Sequence, residues 1–594
     1  MGFINPTPPP FDVAEWKKKP HLERVKPLAQ EWAINGFGTP YAIYLLYIVK
    51  LMAFGWFAFV VIGHNTAGLG GMNHWSHWWY QPIVLQKVFL WMVIYEMFGL
   101  GSSSMALSFR FIPPFGCILN WARPGTVRLP PWPDKVPLTR GTRRTIFDVA
   151  LYLGVIGMGI ALLISNGDGR HLGYAGHLNR TMLAIMIGLW LALGLRDKVS
   201  YLCGRPEVYG IMCVVGLFPA HEFIAAWKIG LLCIWFGAAT SKLNKHFGFV
   251  VAVMIANTPW QRSKFVKRRL WKHHPDDLRA SRNALAAAHT GTIIEYGLPL
   301  LLLFTHGNGT VGKIAIIGMI VFHIHITSTF PLAVPLEWNL YMIFGVLFLF
   351  GHYHGVPVTH LYSALLIALL LFNGVVLVLA GNIWPKKISF LHSMRYYAGN
   401  WATSQWLFRR DGNCEEKFDH TVVKSSPVVA RQLAMLYDED AAEIFLTKAL
   451  AFRGMHPHGR ALFGLYPHAA ADGQVEDYIV REGEFLCGAV VGWNFGDGHF
   501  HGKQLLEEVQ SQCQFKPGEL RVITLESQPI QIQRQEYAIY DAADGLIETG
   551  YVEVADMMAR QPWLGGGEDY DFPVHVTWRA TEPATTQRPV VSMA

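Results

Sequence analysis

Charged residues are scarce in this chain of 594 residues. Only 16% of them are Asp, Glu, Lys or Arg, whereas soluble globular proteins contain about 25%. The seven cysteines form no C-x-x-C pair, and the chain contains no Walker, nucleophile-elbow or dinucleotide-binding motif. These absences exclude a cytosolic enzyme, a secreted disulfide scaffold and a nucleic-acid-binding protein as the class of protein.

Long apolar runs are what the chain contains instead. Hydrophobic residues make up 52% of the chain, and several runs reach the roughly 20 residues that cross a bilayer as a helix. Charge divides the chain, since residues 386–594 carry a net charge of −9 and residues 1–385 a net charge of +16. We therefore predict an α-helical polytopic membrane domain with about ten crossings, followed by a soluble α+β C-terminal domain.

Domain boundaries and elements follow from the same patterns. We predict a cytoplasmic N-terminal segment at 1–38, a transmembrane domain at 39–385, a soluble cytoplasmic domain at 386–579 and a disordered tail at 580–594. Apolar runs predict spans near 39–63, 83–101, 146–165, 181–195, 221–241, 285–304, 313–333, 338–352 and 361–384. In the C-terminal domain, alternating residues predict strands at 519–527 and 533–541, and helical patterns lie at 427–453 and 502–512.

Lys and Arg are concentrated in particular connections between the spans. These basic connections are 17–26, 110–144, 196–205, 262–282 and 386–410, and the poorly charged connections are 64–81, 166–180, 305–312 and 352–360. The positive-inside rule places the basic set and both termini in the cytoplasm. Parity requires an even number of crossings in 207–257, formed either by a re-entrant element or by two tilted helices broken at Pro219.

Ionisable residues inside apolar spans are costly, so each is a functional candidate. His221, Lys228 and Lys242 are spaced by seven and fourteen residues, which places them on one helix face. An unpaired amine in lipid favours its neutral form, which is a usable base. We therefore predict Lys242, His221 and Lys228, with Glu222, as catalytic residues. The alternatives are an ion pair between Lys228 and Glu222, Glu96 or Glu295, and a Lys242 side chain that reaches the membrane surface.

A second set of buried ionisable residues is predicted to line the substrate pocket. It consists of Glu96, Glu295, His289, His323 and His325. On a helix, residues two positions apart differ in direction by about 200°, so His323 and His325 face one site only if the helix is unwound there.

Histidines also gather at the predicted outer face. Imidazole is the commonest ligand of transition metals in proteins and also holds haem iron, so His74, His77, His352 and His354 are predicted metal ligands. The alternative is that histidine, like Trp and Tyr, suits the ends of spans. In the C-terminal domain, His499 and His501 stand in a Gly-rich segment that predicts a metal or anion loop, or a plain turn before a helix at 502.

Two stretches carry resemblances to known families. The strings from Asn120 to Pro133 and from His323 to Asn339 resemble an uncharacterised bacterial family of transmembrane proteins. This resemblance implies a bacterial inner membrane as the location and a fold for nearly the whole chain, but no activity. The segment from Phe236 to Phe247 is similar to the F-x-A-G-x-x-K-L-x-x-x-W element of the vitamin K-dependent carboxylase-like, horizontally transferred transmembrane domain. That resemblance implies that Lys242 is a base toward a bound quinol, although Ala239 and Phe247 depart from the element.

We therefore expect a membrane enzyme, redox or lipid-modifying, that acts on an isoprenoid, quinone or acyl-chain substrate. A quinone, haem or a transition metal is the expected cofactor class, and the bilayer and a hydrophobic small molecule are the expected partners. Two alternatives stay open. One is a transporter of lipids or small molecules, and the other is an assembly subunit whose acidic C-terminal domain binds a protein partner.

Overall fold

The computed structural model describes residues 4–101, 116–329, 335–471, 474–564 and 572–580. Helices dominate the part that precedes residue 385. In chain order they are α1 Val13–Lys17, α2 His21–Asn35, α3 Tyr41–His64, α4 Trp75–Trp78, α5 Pro82–Met97, α6 Gly116–Trp121, α7 Ile146–Ile164, α8 Arg180–Arg196, α9 Lys198–Cys203, α10 Pro206–Val215, α11 Ala220–Ser241, α12 Phe247–Asn257, α13 Lys264–Arg269, α14 Arg282–Phe304, α15 Thr310–Thr329, α16 Leu336–His352 and α17 Ala364–Ile383. A short hairpin, β1 Trp271–His273 and β2 Asp277–Ala280, lies between α13 and α14.

Six of the described helices are long and apolar enough to cross a membrane. They are α3, α7, α11, α14, α15 and α17. The prediction of about ten crossings is not supported, because the predicted spans at 83–101, 181–195 and 338–352 form helices of fewer than 18 residues, namely α5, α8 and α16. A straight helix of that length rises less than the roughly 30 Å of a hydrocarbon core.

The stretch 207–257 contains a helix break rather than two equal spans. Helix α10 ends at Val215, a turn runs to Pro219, and the chain then enters α11. Proline lacks the N–H that a helix interior needs, so the break at this residue has a local cause. The following helix, α12, has only 11 residues. It packs against α2 near the N-terminus, where the indole N–H of Trp32 donates to the carbonyl of Val253 at 3.2 Å.

The C-terminal part is built around one sheet. Its elements are β3 Thr403–Arg409, α18 Cys414–Thr421, α19 Val429–Leu436, α20 Glu439–Met455, α21 Pro457–Gly464, α22 Tyr466–Ala469, β4 Tyr478–Glu482, α23 Gly483–Val491, α24 Lys503–Cys513, β5 Leu520–Leu525, β6 Arg534–Asp541, β7 Gly545–Glu553, α25 Val554–Ala559 and β8 His575–Arg579. The strands are antiparallel in the order β4-β3-β5-β6-β7-β8. The predicted strands at 519–527 and 533–541 are confirmed, and the predicted disordered tail lies almost wholly outside the described residues.

Both faces of this sheet are covered. Side chains alternate between the two faces of a strand, and on β3 the buried Trp406 and Phe408 join one apolar core while Leu407 joins another. The second core also contains Leu28 and Trp32 of α2, which packs against α20. The N-terminal segment is therefore docked on the C-terminal part.

The connections between helices gather at two ends of the molecule. At one end, Arg144 pairs with Asp197 at 2.7 Å and Arg143 with Glu508 of α24 at 3.2 Å, so basic connections meet each other and the C-terminal part. At the other end, poorly charged connections meet, as shown by the hydroxyl of Tyr353, which donates to the carbonyl of Tyr80 at 2.9 Å. This grouping agrees with the division of the connections into a basic set and a poorly charged set in the sequence. The cytoplasmic location of the basic end stays a prediction.

Candidate functional site

A cavity of about 220 Å³ lies inside the helical part, between α11, α12, α14, α15 and α16. Its lining consists of Glu96, Arg205, Ile234, Trp235, Ala238, Lys242, Phe247, Val250, Val251, Met254, Ile255, Ala287, Gly291, Glu295, Phe322, His323, His325, Ile326, Thr329, Pro335, Trp338, Asn339, Met342, Tyr396, Tyr397 and Phe495. Most of this wall is apolar, and a few polar groups project from it. That composition is typical of sites for small hydrophobic molecules.

An ion pair joins two walls of the cavity. The ammonium of Lys242, at the end of α11, contacts a carboxylate oxygen of Glu295 on α14, and the two side chains are only 11% and 5% exposed. The Lys242 ammonium also lies 5.6 Å from the centre of the Phe247 ring. Buried charges persist when they are paired. The pair therefore presents one proton donor and one proton acceptor to the same apolar space.

His323 is fixed in one orientation on α15. Its Nε2 accepts a hydrogen bond from the indole N–H of Trp235 at 3.0 Å, and its Nδ1 lies 2.7 Å from the side-chain oxygen of Asn339. Because the indole nitrogen only donates, Nε2 carries no proton and Nδ1 donates to Asn339. His323 is thus a neutral imidazole with both nitrogens occupied, and it shapes the wall of the cavity.

Arg205 and aromatic rings close another part of the cavity. The Arg205 Nε donates to Glu207 at 2.8 Å, and the guanidinium lies 4.4 Å from the ring centre of Trp338 and 5.2 Å from those of Tyr396 and Phe495. Tyr396 and Phe495 belong to the C-terminal part. Both parts of the chain therefore build the cavity.

The cavity reaches the outside of the helix bundle along α12, α14 and α15. His325 of the lining is exposed, and Ile255, Ala287 and Gly291 are half-buried. Neighbouring side chains on the outer surface are large and apolar, among them Ile293 and Ile324, which are 69% and 54% exposed. Such surfaces in a membrane protein face lipid, so the exposed part of the lining lies beside the expected lipid-facing surface.

Comparison with known families decides the classification of the chain. A family model described as a transmembrane protein of unknown function (DUF3556) matches residues 1–577. The chain belongs to this family. No curated protein and no solved structure matches it. The match confirms the resemblance to an uncharacterised transmembrane family, but supports neither a bacterial origin nor the carboxylase-like resemblance at Lys242.

The structure brings together five of the residues that the sequence of this DUF3556 chain nominates. They are Lys242, Glu295, Glu96, His323 and His325, all in the cavity lining. Both histidines contribute to the lining while α15 is continuous through Thr329. His323 is buried and His325 is exposed. The two line different parts of the cavity from two sides of the helix.

Four other nominated residues lie outside the cavity lining. The ammonium of Lys228 donates hydrogen bonds to the carbonyls of Tyr353 and Val356 at 2.8 and 2.5 Å. A carboxylate oxygen of Glu222 accepts hydrogen bonds from the backbone N–H groups of Tyr362 and Ser363. The His221 ring lies beside that of Tyr362, and His289 is exposed on α14. Lys228 and Glu222 thus hold connections in place.

The stripe of His221, Lys228 and Lys242 therefore does not face one site. Fourteen residues of helix span about 21 Å, so Lys228 and Lys242 meet different surroundings even though they share a face. Lys242 reaches the cavity at one end of α11, whereas Lys228 meets the 353–356 connection near the other. The spacing of residues in the sequence determines the direction in which each side chain leaves the helix axis. It does not determine which neighbouring segments the side chain meets at its position along the helix.

The outer histidines make contacts with neighbouring groups. His352 stacks on Tyr80 with 4.3 Å between ring centres, His354 Nδ1 lies 3.0 Å from the carbonyl of Gly351, and His74 and His77 are exposed. Within the described ranges, no three His, Cys, Asp or Glu side chains are grouped so that they could hold a metal ion. The predicted metal or haem site at these histidines gains no support from this geometry.

The Gly-rich segment of the C-terminal part holds a partly buried ionic cluster. His499 Nδ1 lies 3.0 Å from Asp497 and its Nε2 3.0 Å from Glu526. Burial alone would lower the pKa of His499, but Glu526 and Asp497 outweigh it and raise the pKa to about 10. His501 Nδ1 lies 2.6 Å from the Ser404 hydroxyl, and burial lowers its pKa to about 3. The cluster joins the segment before α24 to the end of β5.

Sequence reasoning missed several residues of the cavity. Arg205, Trp235 and Asn339 lie in its wall, yet Arg205 stands in a basic connection and Trp235 in an ordinary apolar run. Trp338 and Asn339 fall within the string that carries the family resemblance, which is the only signal that marks them. Their roles depend on contacts between distant segments, as between Arg205 and Tyr396.

Proposed function

We propose that this DUF3556 protein binds a lipid-like hydrophobic molecule in the cavity and acts on it as a membrane enzyme. The observation that carries this proposal is the combination of an apolar cavity, an opening toward the lipid-facing surface and a buried Lys242–Glu295 pair. An apolar wall accepts a chain or ring, and the few polar groups orient its polar head. The proposed ligand class is an isoprenoid or quinone, or an acyl chain.

The volume agrees with a ring or a chain segment. A cavity of about 150 Å³ accommodates benzene, and this one has about 220 Å³. A larger amphipathic molecule fits when its ring or head lies inside and its tail leaves through the gap beside His325. A tail that stays in lipid keeps its apolar surface out of water, so only the enclosed group needs to fill the cavity.

Proton transfer is the chemistry that the Lys242–Glu295 pair supports. A hydroxyl or carbonyl group placed beside the pair meets an ammonium that donates and a carboxylate that accepts, both within hydrogen-bond reach of one point. Removal of water strengthens these interactions, because charges in a site of low dielectric constant interact more strongly than in water. Redox and lipid-modifying reactions both include such proton transfers at a polar head.

Mass spectrometry of the purified protein tests the proposal. The protein is purified in a mild uncharged detergent, extracted with organic solvent, and the extract is compared with that of the membranes from which it came. We expect one hydrophobic species to be enriched to about one molecule per chain, because a site that buries most of the surface of its ligand retains it through purification. An extract that only reproduces the bulk lipid composition would contradict ligand binding and favour an assembly subunit. A tightly retained species that is never converted would favour transport.

A further inference from the structure

A second cleft lies between the docked N-terminal segment and the C-terminal part. Its volume is about 660 Å³, and it runs between the start of α2, α20 and β4. Six Lys or Arg residues and three Glu residues line it. The basic run that begins at Lys17 supplies much of this charge. The cleft shares no lining residue with the cavity of the proposed function.

Several of these cations are held by carboxylates. Arg24 Nη1 lies 3.3 Å from Glu443, and Arg481 contacts Glu415 at 2.6 Å and Glu443 at 3.6 Å. Arg410 Nε instead donates to the backbone carbonyl of Glu476 at 2.9 Å. Glu443 is shared between two guanidinium groups. Lys17 also contacts Asp440, and Lys18 lies 2.6 Å from Glu15, so Lys19 and Arg410 are the two lining cations that form no ion pair with the described residues.

Two buried donors in the cleft have no acceptor among the described residues. Arg24 Nη2 lies 3.4 Å from His21 Nδ1, so that nitrogen is the acceptor and the proton of the imidazole is on Nε2. His21 Nε2 and Arg24 Nε are both buried and make no hydrogen bond to the described part of the chain. The Arg24 side chain is 8% exposed. Buried donors of this kind are costly unless an acceptor reaches them.

The surroundings of His21 show how closely the guanidinium groups gather. Burial lowers the pKa of His21 to about 3, and Arg24, Arg410 and Arg481 contribute to that lowering. His21 is therefore neutral at physiological pH and acts only as a hydrogen-bond donor at Nε2. The positive charges of Arg24, Arg410 and Arg481 therefore all act on this neutral imidazole.

We propose that this cleft binds a phosphate group, with Arg24 and His21 donating to its oxygens and Lys19 and Arg410 neutralising its charge. Phosphate supplies several strong acceptor oxygens and a charge of −1 to −2, and guanidinium groups match its geometry. A carboxylate offers fewer oxygens for donors that approach from several sides. A soluble phosphate ester and the headgroup of an anionic phospholipid both present this chemistry.

Ligand-induced stabilisation of the full-length protein in an uncharged detergent tests this site. The probes are inorganic phosphate, glycerol 3-phosphate and short-chain phosphatidic acid below its micelle concentration, with short-chain phosphatidylcholine as the zwitterionic comparison. We expect saturable stabilisation by at least one of the first three probes, because a ligand that binds only the folded state raises the melting temperature. Binding of phosphate or glycerol 3-phosphate assigns a soluble ester, and binding of phosphatidic acid alone assigns a lipid headgroup.

Three variants separate the site from general charge effects. Arg24→Gln is expected to weaken binding at least about tenfold. Lys18→Gln with Lys19→Gln is expected to weaken binding about two- to threefold, and because both lysines are exposed this variant keeps its fold even if Arg24→Gln does not. Lys26→Gln removes the same charge from an exposed position of α2 outside the cleft lining and is expected to bind like the natural protein. The proposal would be overturned if Arg24→Gln and the double lysine variant both bound the probe as tightly as Lys26→Gln does. It would also be overturned if no phosphate probe bound saturably.

Discussion

Replacement of Gly291 by phenylalanine is expected to displace the bound molecule without unfolding the protein. Gly291 lies on α14 in the cavity lining, and a Cβ atom built there meets no other atom within 4 Å. The new ring therefore enters open space rather than packed side chains. A phenyl ring needs about the volume of benzene, which leaves little of the 220 Å³ for a ligand. We expect the amount of the co-purified molecule to fall at least about tenfold.

A matched control lies on the same helix. Gly297 also has no atom within 4 Å of a built Cβ, but it is outside the described lining of the cavity. Both variants remove a glycine from the interior of α14, so both gain about the same helix propensity. Gly297→Phe is expected to retain the molecule at the level of the natural protein. Equal retention by the two variants, with unchanged melting temperatures, would place the molecule outside this cavity.

Removal of one partner of the Lys242–Glu295 pair is expected to destabilise the protein strongly. Both side chains are nearly buried, and a buried charge that loses its partner costs about 3–5 kcal/mol. We expect this loss for Lys242→Met and for Glu295→Gln. In the double variant neither charge is left unpaired, so its stability is expected to return to within about 1–2 kcal/mol of that of the natural protein. Unfolding of the purified protein by denaturant gives these free energies.

The double variant also separates structure from chemistry. If the pair only holds α11 and α14 together, the double variant keeps the bound molecule and any conversion of it. If the pair transfers protons, the stable double variant still loses conversion. Lys245→Met, which removes an exposed cation three residues after Lys242, is the control and is expected to change neither property. If Lys242→Met and Glu295→Gln were each as stable as the natural protein, this result would contradict the claim that the two side chains form a buried ion pair.

Part of the site can be predicted from the sequence because burying a charged or polar group in an apolar span is costly, so such residues are rare there. Glu96, Lys242, Glu295, His323 and His325 stand out because polar groups are rare in apolar runs, and all five line the cavity. The same argument selects Lys228, whose partners are backbone carbonyls in the 353–356 connection. Every residue carries a carbonyl, so no sequence pattern marks these acceptors. Burial cost therefore identifies candidates, while their partners depend on the tertiary fold.

Local pattern and tertiary packing also account for what the sequence predicts of the fold. Strands such as β5 and β6 follow from period-two alternation, and α7 begins where Thr145 and Asp148 form a capping box. Counting of crossings from apolar runs is less successful, because α5 ends at Met97 although its run continues to 101, and α16 has fewer than the 18 residues that a straight crossing needs. The docking of α2 on α20 has no local signal, since it depends on complementary surfaces far apart in the chain.

A photocrosslinking measurement on α15 tests the central claim most directly. Phe322 lies in the cavity lining, whereas its neighbour Val321 is 58% exposed on the outer surface of the bundle. Benzoylphenylalanine is placed at one position or the other, the membranes are irradiated, and the mass of each adduct is determined. We expect position 322 to capture one hydrophobic species, the same one that extraction recovers, and position 321 to capture bulk lipids. Identical mixtures of bulk lipids at both positions would contradict a specific ligand in the cavity.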